Sequence, residues 1–364
     1  MSIADTAIQT PEGHPKPKIQ NSSRLALMMH DNLASNYGKM GHGLLRYSEA
    51  EIIAVVDRSA VGRTVREVTG IDRNVPIVAT VAEAAALGAD TLVLGVATAG
   101  GVLPGDWWDE MEIGLAAGMS LVNGLHAPLA DHPRLKPALR SGRFIWDVRR
   151  EPPNLENGTG AARNLAAKRV LTVGTDMAIG KMTASIELDR AARKRGLRSR
   201  FLASGQIGIC IAGEGVALDA VRVDFASGAI EQLVMRHGED NDILWVEGQG
   251  SILHPASTAW LPLMRGSCPT HLILCHRAGH EGIARQPWVK FPPLREVAAL
   301  YETVASCSGA LPSARTVGIS LVTAHLDDAA ARRAIDQAAA ESGLPVTDVV
   351  RYGAAPLLDA VLEN

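Results

Sequence analysis

Lys181 follows a glycine-bounded run, Gly174-Thr175-Asp176-Met177-Ala178-Ile179-Gly180, and precedes Met182 and Thr183. Glycines leave backbone N–H groups open to an anion, a helix start adds its positive end, and a lysine adds a full charge. In this order the residues point to a phosphate cradle. The spacing departs from G-x-x-x-x-G-K-[ST]. Five residues separate Gly174 from Gly180, Met182 stands where a hydroxyl would hold Mg²⁺, and Thr183 comes one residue late. A cradle without that hydroxyl suits the pyrophosphate of coenzyme A better than ATP hydrolysis.

Other residues with chemical capacity fall at the ends of apolar runs. Glu247 closes the run 243–246 and resembles the acid of a Walker B strand, with a loop-tethering carboxylate as the alternative. Gln206, His254 and His276 follow similar runs. Parallel sheets gather ligands at the carboxyl ends of their strands, so these groups belong near the cradle. Asp219 and Asp224 suit either a helix cap or turn or a substrate contact. The segment HRAGHEGIARQPWVKFPP reads as a glycine- and proline-bearing loop; as a lid it would offer Arg285 to a substrate carboxylate. No G-x-S-x-G elbow occurs, and Cys210 and Cys275 lie in apolar runs that suit structural thiols.

These residues need elements to position them. Residues 170–173 suit a buried strand, and Ala184, Leu188, Ala191 and Ala192 recur at helical spacing before Gly196, where a helix would end. Strands at 200–203, 243–246, 271–275, 317–322 and 347–351, with a helix over 327–341, complete a P-loop NTPase-like α/β domain over 168–364. Ahead of it, strands at 24–29, 51–56, 75–79, 91–96 and 120–122 alternate with helical segments. They predict a Rossmann-like parallel-sheet domain over 21–150, preceded by a flexible arm over 1–20. Pro152-Pro153, Gly158 and Gly160 mark a linker over 151–167, with Arg149 and Arg150 expected in solvent.

Could the first domain hold a dinucleotide? Gly38, Gly41 and Gly43 run G-x-x-G-x-G, the reverse of the fingerprint and several residues past the strand. Packing or a substrate contact fits better, although Asp57 stands where a ribose-binding acid would. His126, after the 120–122 strand, suits a structural role more than a ligand-binding one.

The chain has 364 residues, enough for two domains, with 36 Lys+Arg against 39 Asp+Glu and a net charge of −3. That balance makes no electrostatic case for nucleic acid or an anionic membrane; small-molecule substrates are expected instead. The four cysteines form no C-x-x-C or zinc spacing, and no metal site is expected. With no secretory signal and no long apolar run, a cytoplasmic protein is expected. Assembly into a homo-oligomer is expected because paired Rossmann-like domains often associate.

The segments VGTDMAIGKMT, SGQIGICIAGEGVALDAV, VEGQGSILHP and LILCHRAG resemble the family of D-glutamate N-acetyltransferases, long catalogued as a domain of unknown function. HGLLRY, VVDRS, GVATAGGVLP and LVNGLH resemble its Rossmann-like first half. The resemblance implies transfer of an acetyl group from acetyl-CoA, as co-substrate, to the amino group of D-glutamate. Gly174, Thr175, Asp176, Gly180, Lys181, Met182 and Thr183 would then hold the carrier, and Glu247 or His254 would act as base. Gln206, Asp224 and Arg285 would meet the acceptor. Met177 departs from the family, where a cysteine is common at this position. The GTD…GK and VEG pieces also resemble dethiobiotin synthetase, which implies an ATP- and Mg²⁺-dependent ligase or kinase as the alternative. A nucleotide- or CoA-sensing protein without turnover is a third reading.

Overall fold

The structure is a computed structural model that describes residues 19–97, 103–283 and 285–364. The arm expected over 1–20 lies outside the described residues up to residue 18, and Ile19 is already buried. Part of the loop ATAGGVLPGD, residues 98–102, also lies outside them.

Strands β1 (Arg24–Met28), β2 (Glu51–Val56), β3 (Ile77–Val78), β4 (Thr91–Leu94), β5 (Ser120–Asn123) and β6 (Ile145–Asp147) form one parallel sheet in the order β3-β2-β1-β4-β5-β6. That is the Rossmann order. Helices α1 (Lys39–Tyr47), α2 (Val65–Thr69), α3 (Val81–Ala86) and α4 (Gly105–Ala116) connect its strands. The sixth strand, β6, was not anticipated from the sequence, and only two residues of the run 75–79 pair.

Strands β7 (Lys168–Gly174), β8 (Ser199–Leu202), β9 (Ile243–Val246), β10 (His271–Arg277), β11 (Gly282–Ile283), β12 (Gln286–Lys290), β13 (Arg315–Val322) and β14 (Val346–Thr347) follow. Six of them form a second sheet in the order β14-β13-β10-β7-β9-β8, with every recorded pairing parallel. The helices of this half are α5 (Lys181–Lys194), α6 (Gln206–Ala212), α7 (Val223–Gly238), α8 (Trp260–Ser267), α9 (Leu294–Ser306), α10 (Asp328–Ser342) and α11 (Ala355–Glu363). β4 and β9 are buried at every residue, as strands covered on both faces must be. β7 sits between β10 and β9, so its end opens into the middle of the sheet edge.

The two halves share a hydrophobic core. Leu44 and Leu45 from α1 join Ile186 of α5 and Ile209 and Cys210 of α6 in one cluster. A Cβ on Gly43 would stand 2.5 Å from Ile207 Cγ2, so glycine lets α1 lie directly on α6. The segment expected as a free linker is packed. Glu231 of α7 accepts from the Thr159 and Ala161 amides at 2.9 Å each, and Ala162 is fully buried. A cavity of about 270 Å³ lies on the amino side of β8, lined by Tyr47, Arg190 and Phe201 among others, and includes no cradle residue. No helix among the described residues is long and apolar enough to cross a membrane.

Candidate active site

β7 ends at Gly174, and α5 begins at Lys181 after Gly180, whose φ of +91° turns the chain into the helix. Gly196, with φ +81°, follows the helix at its other end, as the spacing predicts. Between strand and helix, the amides of residues 178–183 donate to no acceptor among the described residues. The first turn of any helix leaves such donors open, and here the preceding loop adds to them. Unspent donors at the positive end of a helix fit an anion.

Lys181 is buried, and its Nζ donates to the Asp176 carbonyl at 2.7 Å. Burial pushes its pKa down to about 8, opposed by Cys275, Asp176 and Glu247, so it still carries charge at pH 7. The lysine reaches this position because two neighbours lack side chains. A Cβ on Gly174 would stand 3.3 Å from Nζ, and one on Gly248 would stand 3.0 Å from Lys181 Cδ. Tyr301 braces the floor of the site: its hydroxyl donates to the Gly174 carbonyl at 2.8 Å and accepts from the Ile252 amide at 2.9 Å. Sequence spacing offered no sign of this residue, which comes from α9.

Two residues expected to hold the carrier have side chains turned elsewhere. Met182 packs into the core shared with the first domain. The Thr183 hydroxyl and Glu187 lie on the side of α5 that faces the phenol of Tyr47, at the end of α1. What these two residues still offer the cradle is their amides. Thr175 is fully buried, its hydroxyl 2.8 Å from His276 Nδ1. His276 titrates near 4, lowered by burial and then by His280. Among the described residues no group of three or more His, Cys, Asp or Glu side chains is placed to hold a metal.

The two expected bases are occupied. Glu247 is buried; its Oε2 accepts from the Ser204 and Gly205 amides at 2.8 and 3.1 Å, and Oε1 accepts from Gln249 at 3.1 Å. It fastens the turn between β8 and α6, which is the tethering alternative. Burial raises its pKa to about 7 against these hydrogen bonds. His254 Nδ1 accepts from the Ala256 amide at 3.1 Å, so the neutral ring carries its proton on Nε2, which lies 3.9 Å from Asp176 Oδ1. Its lone pair is already spent.

The expected acceptor contacts scatter. Gln206 opens α6 beside Gly124, where a Cβ would stand 3.5 Å from its Cγ. Asp224 is exposed in the first turn of α7, where a carboxylate favours the helix dipole, and has no hydrogen bond to the cradle. Arg285 is exposed in the turn of a β11–β12 hairpin rather than in an irregular lid, and among the described residues no ion pair or hydrogen bond ties it to the site. Arg277 takes the nearer place. It pairs with Val322, which packs at the Gly180 turn, and its buried Nε has no acceptor among the described residues.

The expectation of solvated arginines at 149 and 150 fails at Arg149. Its side chain is 10% exposed, its Nε donates to the Gly124 carbonyl at 2.7 Å, and it forms an ion pair with Asp219. Asp57 is also spoken for. It accepts from the Asp31 and Leu33 amides and from Ser59, leaving nothing for a ribose.

Residues 58–151 match a Rossmann-like domain of unknown function, DUF1611_N, and residues 156–358 match the P-loop domain of unknown function DUF1611_C. The chain belongs to the DUF1611 family. Within it, the chain is 38% identical over 284 residues to a D-glutamate N-acetyltransferase of Tritonibacter scottomollicae, covering 78% of this chain and 84% of that one. A D-glutamate N-acetyltransferase of a Pseudoalteromonas species is 34% identical over 287 residues, covering 78% and 83%. The crystal structure of a DUF1611 family protein from Anabaena variabilis is 58% identical and superposes with a TM-score of 0.91 over 94% of this chain and 100% of the other. The resemblance carried by VGTDMAIGKMT and VEGQGS, and the two-domain α/β class, are borne out.

Proposed function

We propose that this protein transfers the acetyl group of acetyl-CoA to the amino group of D-glutamate, with the carrier's diphosphate resting on residues 174–183. The naming of two relatives at 34–38% identity supports the reaction. The observation that carries the role of the cradle is the row of unspent amides beside a buried lysine. Lys181 exchanges the Asp176 carbonyl for a phosphate oxygen, a stronger, charge-assisted hydrogen bond. Arg277, with its unpaired Nε–H, adds a second cation on the rim.

In the reaction the acceptor's ammonium loses a proton to a base, and its nitrogen attacks the thioester carbonyl carbon. The C–N bond forms, the nitrogen gives up its second proton, the C–S bond breaks, and the departing thiolate takes up that proton. No acyl-enzyme is required. A ligase using ATP and Mg²⁺ would call on a hydroxyl directly after the lysine, where Met182 stands instead.

The test is incubation with acetyl-CoA and a panel of D- and L-amino acids, following free thiol, beside incubation with ATP and Mg²⁺, following ADP. Thiol release that depends on D-glutamate is expected. ADP release without thiol would overturn the reading.

A further inference from the structure

The carboxyl edges of the two sheets meet at one seam. Gly124 follows β5 in the first sheet, Gln206 follows β8 in the second, and the two are in contact. Helices α1 and α6, which pack against each other there, each begin beyond the carboxyl end of a strand. Open parallel sheets bind ligands at this edge, so both domains present their ligand-binding sides to the same place.

The seam lies at a telling distance from the cradle. β9 separates β7 from β8. Strands spaced by about 4.7–4.9 Å put the end of β8 about 10 Å from the end of β7, and the first domain lies one further layer away. The pantetheine arm of coenzyme A is comparable to about four residues of extended chain, roughly 13–14 Å. With its diphosphate on residues 174–183, an extended arm running along this edge delivers the thioester to the seam. A base at Glu247, beside the lysine, would face the middle of the arm.

Arg149 and His126 are the ionisable groups at the seam that suit an amino-acid acceptor. Of the five N–H donors of Arg149, one meets the Gly124 carbonyl and Nη1 faces Asp219, while Nη2 donates to no group among the described residues. His126 is exposed, two residues beyond Gly124, within electrostatic reach of Arg149. Partial desolvation and then that arginine lower its pKa from the usual imidazole value.

We propose that the acceptor amino acid binds at this seam, with Arg149 holding its carboxylate and His126 taking the proton from its amine. The proposal rests on the acetyl-transfer reading. The acceptor ammonium gives its first proton to His126 and on to water; once the C–N bond has formed, the nitrogen's second proton passes through the imidazole to the thiolate that leaves as the C–S bond breaks, giving the amide and the thiol.

Steady-state kinetics of the full-length protein separate the roles. Arg149→Gln is expected to raise KM for D-glutamate about 10- to 100-fold while KM for acetyl-CoA stays unchanged. His126→Asn is expected to lower kcat about 100-fold or more, to flatten the acid limb of the pH profile, and to leave both KM values in place. Because His126 is exposed, its variant tests the assignment even if Arg149→Gln fails to fold. Normal acceptor KM and kcat in variants that melt like the wild type would overturn the proposal. Absence of thiol release in the wild type would instead sink the acetyl-transfer reading. In that event, calorimetric binding of D-glutamate to wild type and to Arg149→Gln still decides the seam, and equal affinity counts against it.

Discussion

Two glycine-bearing turns follow the leading strands of the two sheets, one after β1 and one after β7, and they have opposite fates. After β1 the chain fills its own turn. The carboxylate of Asp57 takes the amides of Asp31 and Leu33, a Cβ on Gly38 would stand 2.5 Å from the Asn32 carbonyl, and the Gly41 amide donates to the Gly95 carbonyl at 2.8 Å. After β7 the amides of residues 178–183 find no partner in the described chain, and a buried lysine lies against the strand end. Glycines in the first turn allow close packing; in the second they leave backbone donors without partners. Unspent hydrogen-bonding capacity, more than glycine density, marks a turn as a candidate for binding.

The sharpest way to break this comparison is Lys181→Met. It is expected to raise KM for acetyl-CoA about 100-fold or more. Without ligand the effect reverses. The folded pKa of the lysine is depressed from 10.5 to about 8, so the associated stability is present above pH 10.5 and is lost as pH falls through 8. At pH 7 the methionine variant is expected to be more stable by about 3 kcal/mol, measured by denaturant titration, with the difference closing above pH 10.5. A less stable ligand-free variant would place the lysine's charge in a favourable site without any ligand.

On the other side, Asp57→Ala strands buried amide donors and is expected to cost about 2–4 kcal/mol of stability with no change in KM for acetyl-CoA. Gly41→Ala places a Cβ 2.5 Å from Met29 Cε and is expected to cost about 1–3 kcal/mol, again without a kinetic effect on the carrier. The smallest effect belongs to Thr183→Val, which removes the hydroxyl facing Tyr47. A loss of about 1 kcal/mol with unchanged KM for acetyl-CoA is expected, and a large rise in that KM would return the hydroxyl to the cradle.

Much of the cradle was legible before the fold was known. Strand, glycine-bounded loop, lysine and helix lie within one short stretch, and each follows from local backbone preference and periodicity. Glu247 was likewise legible as the acid closing a buried strand. Its work on the Ser204–Gly205 turn was one of two readings, because its partners come from another strand. Arg285 and Asp224 lie apart from the cradle, which the sequence could not show because charge type says nothing about direction. One lies in a hairpin turn, the other on an exposed helix start, while Arg149, read as solvated, is mostly buried where the domains meet.

By itself the sequence determined the two parallel-sheet domains, the place of the glycine-bounded loop ahead of Lys181 and the family, because hydrophobic periodicity, glycine placement and contiguous motifs are properties of neighbouring residues. Only the tertiary structure decided which donors remain unspent, which hydroxyl faces Tyr47, and which arginine lies at the seam. Those outcomes depend on groups far apart in the chain competing for the same partners, and a side chain's partner is settled only when the sheets, helices and domains have packed together.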